Sequence, residues 1–186
     1  MPYILVHGDL LTAMDVDCIV QQSCCTAMRA HGLAAAIAAR WPHCDPYVGR
    51  TRHIRNWATS DSRPFPGTIQ LMPTRAMAGP KFVVCAFAQY CHGKSGKYQD
   101  PLGMDIHPMI GYGDSSDARF KWFRECLDEL ALKLAAMDPP LKSVGFPFRI
   151  GCGLAGGSWP RYEHELRRWS DAHPELDVCV YQLELE

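Results

Sequence analysis

The sequence predicts an α/β fold, a mostly parallel sheet with helices on both of its faces. Two observations carry the prediction. β-rich apolar runs alternate along the chain with segments of helical period, the order expected when strands are joined by helical crossovers. Two of those runs, "VDCIV" and "KFVVCAFAQY", are almost continuously apolar, as strands are when helices cover both faces of their sheet.

Residues 3–7, "YILVH", end at Gly8-Asp9, and residues 16–23, "VDCIVQQS", follow; both read as buried strands. Residues 30–41, "AHGLAAAIAARW", are alanine-rich with Leu33, Ile37 and Trp41 spaced by fours, an amphipathic helix closed by Pro42. Residues 43–67 hold no sustained period and read as a surface excursion. "TIQLM" and "KFVVCAFAQY" are the next strands, and a glycine-rich polar segment spans residues 93–116. A helix starts near Asp117, where Ser and Asp offer N-caps, and Phe120, Phe123, Leu127, Leu130 and Leu134 bury one face until Pro139 and Pro140 stop it. "LKSVGFPF" is a strand. A loop follows, then a helix with Trp159, Tyr162, Leu166 and Trp169 on one face and Pro160 at its first turn, and "DVCVYQLEL" closes the chain.

A chain of 186 residues suits one domain, residues 1–186, and 47% apolar with 21% charged residues suits a self-sufficient core. The net charge of -1, from 19 basic and 20 acidic residues, gives no global attraction to duplex nucleic acid or anionic lipid. Nine cysteines cannot all pair within one molecule, and several lie in apolar runs, so reduced thiols and a cytoplasmic or nuclear, not secreted, location are expected. "MPYILVHGDL" is neither a signal peptide nor a membrane anchor, and no later run is long enough to span a bilayer.

The most informative stretch is "RIGCGLAGGSWP", residues 149–160, where Gly151, Gly153 and Gly156 spell G-x-G-x-x-G. A dinucleotide fold places that spacing after its first strand, with two mononucleotide halves to follow, and residue 151 of 186 leaves room for neither. The Lys-Ser/Thr ending of a nucleotide-triphosphatase loop is also missing, with Gly157, Ser158 and Trp159 in its place. No cofactor is therefore implied. A strand-to-helix loop of this kind still offers unpaired N–H groups and a helix N-terminus to a phosphate, or its glycines serve only a tight turn.

"HGDL" after the first strand, "VDCIVQQS" before "AHGLAAAIAARWP", "FAQY" at a strand end and "FPFRIGCGLAGGSW", in this order, resemble a macro domain, the module that binds ADP-ribose. The resemblance runs from His7 to Tyr181, and "GCGLAGGSW" is similar to the branch of ADP-ribose 1''-phosphate phosphatases and some ADP-ribosyl hydrolases. It implies a three-layer α/β/α sandwich with a mixed, mostly parallel sheet of about six strands. It also implies a site. Asp9, with Leu10, matches the acid that accepts from the adenine amino group, although Asp suits a turn or cap equally well. Gln22, Gly32 and Leu33 match ligand-lining positions, Gly32 for close backbone approach. Gly151, Cys152, Gly153, Leu154, Ala155, Gly156 and Gly157 match the pyrophosphate loop, where the Cys152 thiol is structural.

For chemistry the resemblance leaves His31, beside the distal ribose, to position or deprotonate a water, or else to be a surface His at a helix start. Cys24 stands where many macro domains carry an Asn, and a thiol hydrogen-bonds poorly in its stead. As a nucleophile, Cys24 or Cys25 lacks an evident basic neighbour. Ala155 replaces the Asp of the branch that attacks the sugar with a Lys. Asp105, His107 and Asp114 are second-rank acid–base candidates. Cys91-His92 with His43 and Cys44 lacks the spacing of a zinc site, so no metal is expected. The basic run "GRTRHIRNW" reads as a solvated face. The implied partners are ADP-ribose or its 1''-phosphate and ADP-ribosylated protein or nucleic acid, with hydrolysis at the distal ribose or, alternatively, reading without turnover.

Overall fold

In the computed structural model, residues 3–102 and 113–183 are described. Eight strands form: β1 (Ile4–His7), β2 (Cys18–Cys24), β3 (Arg52–Ile54), β4 (Trp57–Ala58), β5 (Ile69–Pro73), β6 (Phe82–Gln89), β7 (Ser143–Pro147) and β8 (Asp177–Gln182). The helices are α1 (Leu33–Arg40), α2 (Ser116–Ala135) and α3 (Trp159–Ala172). Six strands make one sheet in the order β1-β8-β7-β2-β6-β5, while β3 and β4 pair separately. Every pairing in the large sheet is parallel except β5 with β6, which gives the mixed, mostly parallel sheet expected.

Adjacent residues of a strand point to opposite faces, and β2 shows where each face lies. Gln21 donates to Cys85 Sγ at 3.3 Å, on the side where the Cys44 thiol meets the carbonyls of Met72 and Pro73. Gln22 lies under Gly151 and the ring of Tyr162 in α3. The Tyr162 ring also packs on Phe120 and Phe123 of α2, with centroids 5.4 and 4.7 Å apart, so α2 and α3 share that face. The sandwich closes on Trp169, Phe123, Phe146, Ile19, Leu127 and Leu166, all fully buried. Each contributes about 1.5–3 kcal/mol by leaving water.

Local signals place the helix ends. Ser115 Oγ accepts from Ala118 N at 3.0 Å and caps α2, and Pro160 sits in the first turn of α3. Two expectations need correction. The strand of residues 3–7 is not buried: β1 is the sheet's edge and pairs with β8 alone, which leaves Ile4 and Leu5 42% and 44% exposed. The excursion over residues 43–67 contains the β3–β4 hairpin, docked through a bridge between Ala27 and Trp57, so a tertiary contact organises what no sequence period announces. Among the described residues no helix is long and apolar enough to cross a membrane.

Candidate functional site

A cavity of about 560 Å³ opens at the carboxyl ends of β2, β6 and β7, where parallel sheets bind their ligands. One wall is the loop after β7, which runs from Phe148 to Ala155; the opposite wall is His31, Gly32, Leu33 and Ala34 at the start of α1. Gln22 and Cys24 of β2, Asn56 of the hairpin, and His92, Gly93, Lys97 and Tyr98 beyond β6 complete it. Arg29, Lys97 and Arg149 line the cavity, and no acidic residue among the described ones does. The charged residues of the described lining are thus all basic.

The glycine loop divides its amides into two sets. Cys152 N donates to Arg149 O at 2.9 Å, Gly156 N to Gly153 O at 3.0 Å and Gly157 N to Gly151 O at 2.9 Å, so these three close the loop on itself. The amides of Gly151, Gly153, Leu154 and Ala155 carry no hydrogen bond among the described residues, and these four residues line the cavity. Of the seven residues matched to the pyrophosphate loop, Cys152, Gly156 and Gly157 thus spend their amides within the loop and form its frame. Gly151 has φ 71°, and a Cβ there would lie 2.5 Å from Gln22 Oε1 and 2.7 Å from Tyr162 Cε1, so glycine is required. Arg149 adopts φ 61° beside the cavity, backbone strain of the kind that gathers at ligand sites.

The helix N-terminus that meets the cavity belongs to α1, not α3: Gly32, Leu33 and Ala34 line it, whereas Ser158 and Trp159 do not. No side chain caps α1 and no acid lies in its first turn, which leaves its positive end to a ligand. Gly32 has φ 56° and ψ -129°, and nothing lies within 4 Å of a Cβ built on it. Its glycine is thus demanded by backbone conformation, not by crowding within the protein.

Other predicted residues fall elsewhere. Asp9 is outside the lining; its Oδ1 accepts from Leu11 N at 2.9 Å and caps a short 3-10 turn, the alternative reading of that residue. The Leu10 side chain is buried in the core, with Cδ1 3.0 Å from a Cβ built on Gly145, and does not reach the cavity. Asp114 is no acid–base candidate. Its carboxylate is buried and bonded by Arg119 Nε at 2.7 Å, by Arg119 Nη2 and by Cys91 N at 3.1 Å. Asp105 and His107 lie outside the described residues.

His31 does line the cavity and is exposed there. Cys24 lines it too, but its thiol donates to Tyr90 O at 3.0 Å, and burial raises its pKa despite bonds from Thr26 and the nearby Arg50. A thiol that stays protonated is not a nucleophile at neutral pH. Burial likewise pushes Cys25 well above the usual range and Cys152 up to about 11. All nine cysteines are free and buried. His43 bonds Thr74 O at 2.9 Å while His92 lines the cavity, and no group of three metal-ligating side chains occurs among the described residues.

Two buried guanidinium groups brace the site. Arg119 Nη1 donates to Gly93 O at 2.7 Å and Ala155 O at 3.1 Å, and Nη2 to Cys91 O at 2.9 Å, tying the end of β6 to the glycine loop. Arg50 Nη1 donates to the carbonyls of Cys24, Cys25 and Ala27 at 3.1, 2.8 and 2.6 Å and so holds the segment that leads to His31. The run read as a solvated face is therefore only partly one: Arg52, His53 and Arg55 are exposed, but Arg50 braces and Asn56 lines. Asn56, His92, Lys97 and Tyr98 went unassigned in the sequence. The one available signal was position, since His92 and Gly93 follow directly on the predicted strand end "FAQY".

No protein-family model matches the chain, and no curated protein matches it. Solved structures do. The macrodomain of Mycobacterium tuberculosis DarG superposes with a TM-score of 0.68 at 19% identity, over 96% of this chain and 96% of that one. The macrodomain of Thermus aquaticus DarG gives 0.61 at 16% identity over 98% of each chain. The Trypanosoma brucei macrodomain in complex with ADP gives 0.55 at 17% identity, over 100% of this chain and 65% of that one. The fold is that of a macrodomain. With a macrodomain fold, the resemblance of "HGDL", "AHGLA" and "GCGLAGGSW" rests on a three-dimensional frame as well as on motifs.

Proposed function

We propose that this chain binds ADP-ribose in the cavity and hydrolyses a substituent from C1'' of its distal ribose. One observation carries the reading: four glycine-loop residues whose amides carry no hydrogen bond among the described residues line a cavity that Arg29, Lys97 and Arg149 also line, with no carboxylate among its described lining residues. That set suits a diphosphate, with the N-terminus of α1 as a further positive pole. In the same direction, the Trypanosoma brucei macrodomain was solved with ADP and a mutant of the Oceanobacillus iheyensis macrodomain with ADPR.

The amides hold the diphosphate, and the distal ribose lies toward His31. His31 orients a water and takes its proton as the water's oxygen attacks, while the bond between C1'' and its substituent, or between phosphorus and the 1''-oxygen, breaks; the leaving oxygen or substituent keeps the bonding pair and takes a proton back from His31 or from solvent. Catalysis of this kind rests on positioning and general base help, the latter worth about 10²–10⁴ in rate. The nine unpaired thiols favour a reducing compartment, cytoplasm or nucleus.

Calorimetry with ADP-ribose and phosphate release from ADP-ribose 1''-phosphate, beside ADP-ribose release from modified protein and oligonucleotide, test both halves. Uptake of ADP-ribose with turnover that falls about 100-fold in His31→Gln is expected. Absence of heat would remove the reading. Binding without turnover on any substrate would make the site a reader, as the weak hydrogen-bonding capacity of Cys24 favours.

A further inference from the structure

The cavity holds two uncharged donors whose orientation the fold fixes and which the glycine loop does not explain. Asn56 Oδ1 accepts from Met28 N at 3.2 Å, which assigns the amide and directs Nδ2 away from that bond. His92 is held between Trp57, 4.8 Å away at 61°, and Tyr98, 4.5 Å away at 33°. Its Nδ1 is buried without a hydrogen-bond partner among the described residues. Buried N–H groups without partners are rarer than unfilled acceptors, so the proton belongs on Nε2, the nitrogen left for the cavity that His92 lines.

The charged and titratable groups around the ring are His31 before α1 and Lys97 beyond β6, with the phenol of Tyr98 stacked on it. Burial lowers the His92 pKa, and the two neighbouring cationic groups lower it further. No carboxylate among the described lining residues opposes them. The direction of that shift favours the neutral ring, which donates from one nitrogen only.

We propose that Nε2–H of His92 and Nδ2–H of Asn56 grip the hydroxyls of the distal ribose and so make the site prefer ADP-ribose to ADP. They would supply, from the end of β6 and from the hairpin, the hydrogen bonds that the Cys24 thiol cannot give from β2. The inference rests on the reading of the cavity in the preceding subsection. Neutral donors suit hydroxyls, whereas the diphosphate is matched by the loop amides and by Arg29 and Arg149. His92 and His31 line the same cavity, and the reading above sets the distal ribose beside His31, so His92 serves that end.

The test uses the whole chain and two probes, ADP-ribose and ADP, by calorimetry. His92→Phe keeps a ring between Trp57 and Tyr98 but removes the donor; Asn56→Ala removes Nδ2–H without placing a negative charge beside the diphosphate. Each is expected to weaken ADP-ribose about tenfold, the value of one hydrogen bond to a ligand, and to leave ADP within about twofold. Equal weakening of both nucleotides, or no change in either, overturns the inference while leaving the site reading intact. Wild-type protein that takes up neither nucleotide overturns both. Long-range ¹H–¹⁵N NMR of the ligand-free protein gives a separate readout, with the His92 signal identified by its loss in His92→Phe. The neutral Nε2–H tautomer is expected at pH ~6.5, where an unperturbed imidazole is half protonated. An Nδ1–H tautomer or a charged ring overturns the proposal.

Discussion

The glycines of the loop after β7 make separable demands, and alanine substitutions will resolve them. Gly151→Ala forces a β-carbon to 2.7 Å from Tyr162 Cε1 and 2.5 Å from Gln22 Oε1, at φ 71°. The Gln22 amide is the end of a flexible chain and can shift, but the Tyr162 ring is packed against Phe120 and Phe123 and cannot. Left-handed backbone adds about 1 kcal/mol for a residue with a β-carbon, and overpacking about 1–3 kcal/mol, so a loss of roughly 2–4 kcal/mol is expected. For a chain of this size that is roughly 4–16 °C in Tm. Gly153→Ala places its β-carbon in open space, with nothing within 4 Å, and φ there is not positive. It should leave stability within about 0.5 kcal/mol while crowding the cavity wall and weakening ADP-ribose. Gly32→Ala falls between, with strain from φ 56° but no clash. Urea unfolding of the three variants beside calorimetry checks the order. If Gly153→Ala unfolds as readily as Gly151→Ala, the division of the loop into a packed frame and a ligand face is wrong.

Three further outcomes are expected. Arg119→Met strands the Asp114 carboxylate in the interior and should cost about 3–5 kcal/mol, part of which Arg119→Met with Asp114→Asn recovers; urea midpoints decide, and no recovery would refute the pairing argument. Burial raises the Asp17 pKa, but bonds from Lys81 Nζ, Lys142 N and Ser143 outweigh it, so the folded-state pKa lies below the unfolded one. This stabilisation is present above the unfolded value of about 3.9 and is lost as pH falls through the folded one. Asp17→Asn should therefore lower stability at pH ~7 and converge with wild type in acid, and a constant gap across that range would refute it. Native protein treated with iodoacetamide at pH ~8 should react slowly at all nine thiols and fully once unfolded, as mass spectrometry reads; rapid labelling of Cys24 would contradict its burial.

The sheet, its helices and the wall formed by the glycine loop were legible because they rest on local signals: apolar runs, 3-4 spacing, caps and turn residues. The antiparallel β5 was not, since "TIQLM" carries no mark of direction. The site was half legible. His31, Gly32, Leu33 and Gln22 come together with the loop as the motifs implied, but Asp9 and Leu10 do not join them. Asn56 lies in a stretch without period, brought to the cavity only because the hairpin docks Trp57 on Ala27. Nor can spacing say which loop amides are taken. Seven residues match a phosphate motif, and the turns that satisfy three of them exist only once the chain is closed.

The residues that aim the cavity's donors are outside the cavity, and the planarity of the peptide bond shows how they reach it. In a trans peptide the carbonyl and the following N–H point in opposite directions. Arg119 does not line the cavity, yet by holding Ala155 O it turns Gly156 N back toward Gly153 O. With Gly153 O so engaged, the Leu154 N–H of the same peptide is directed away from the loop's interior, toward the cavity that Leu154 lines. Arg50 does the same on the other wall. It draws Ala27 O inward, so Met28 N emerges on the opposite side and meets Asn56 Oδ1, which fixes the amide of a residue that lines the cavity. Each guanidinium thus acts through one or two peptide planes, and at Arg119, whose Nε, Nη1 and Nη2 all donate to different partners, a single ammonium could not reproduce the fixed fork.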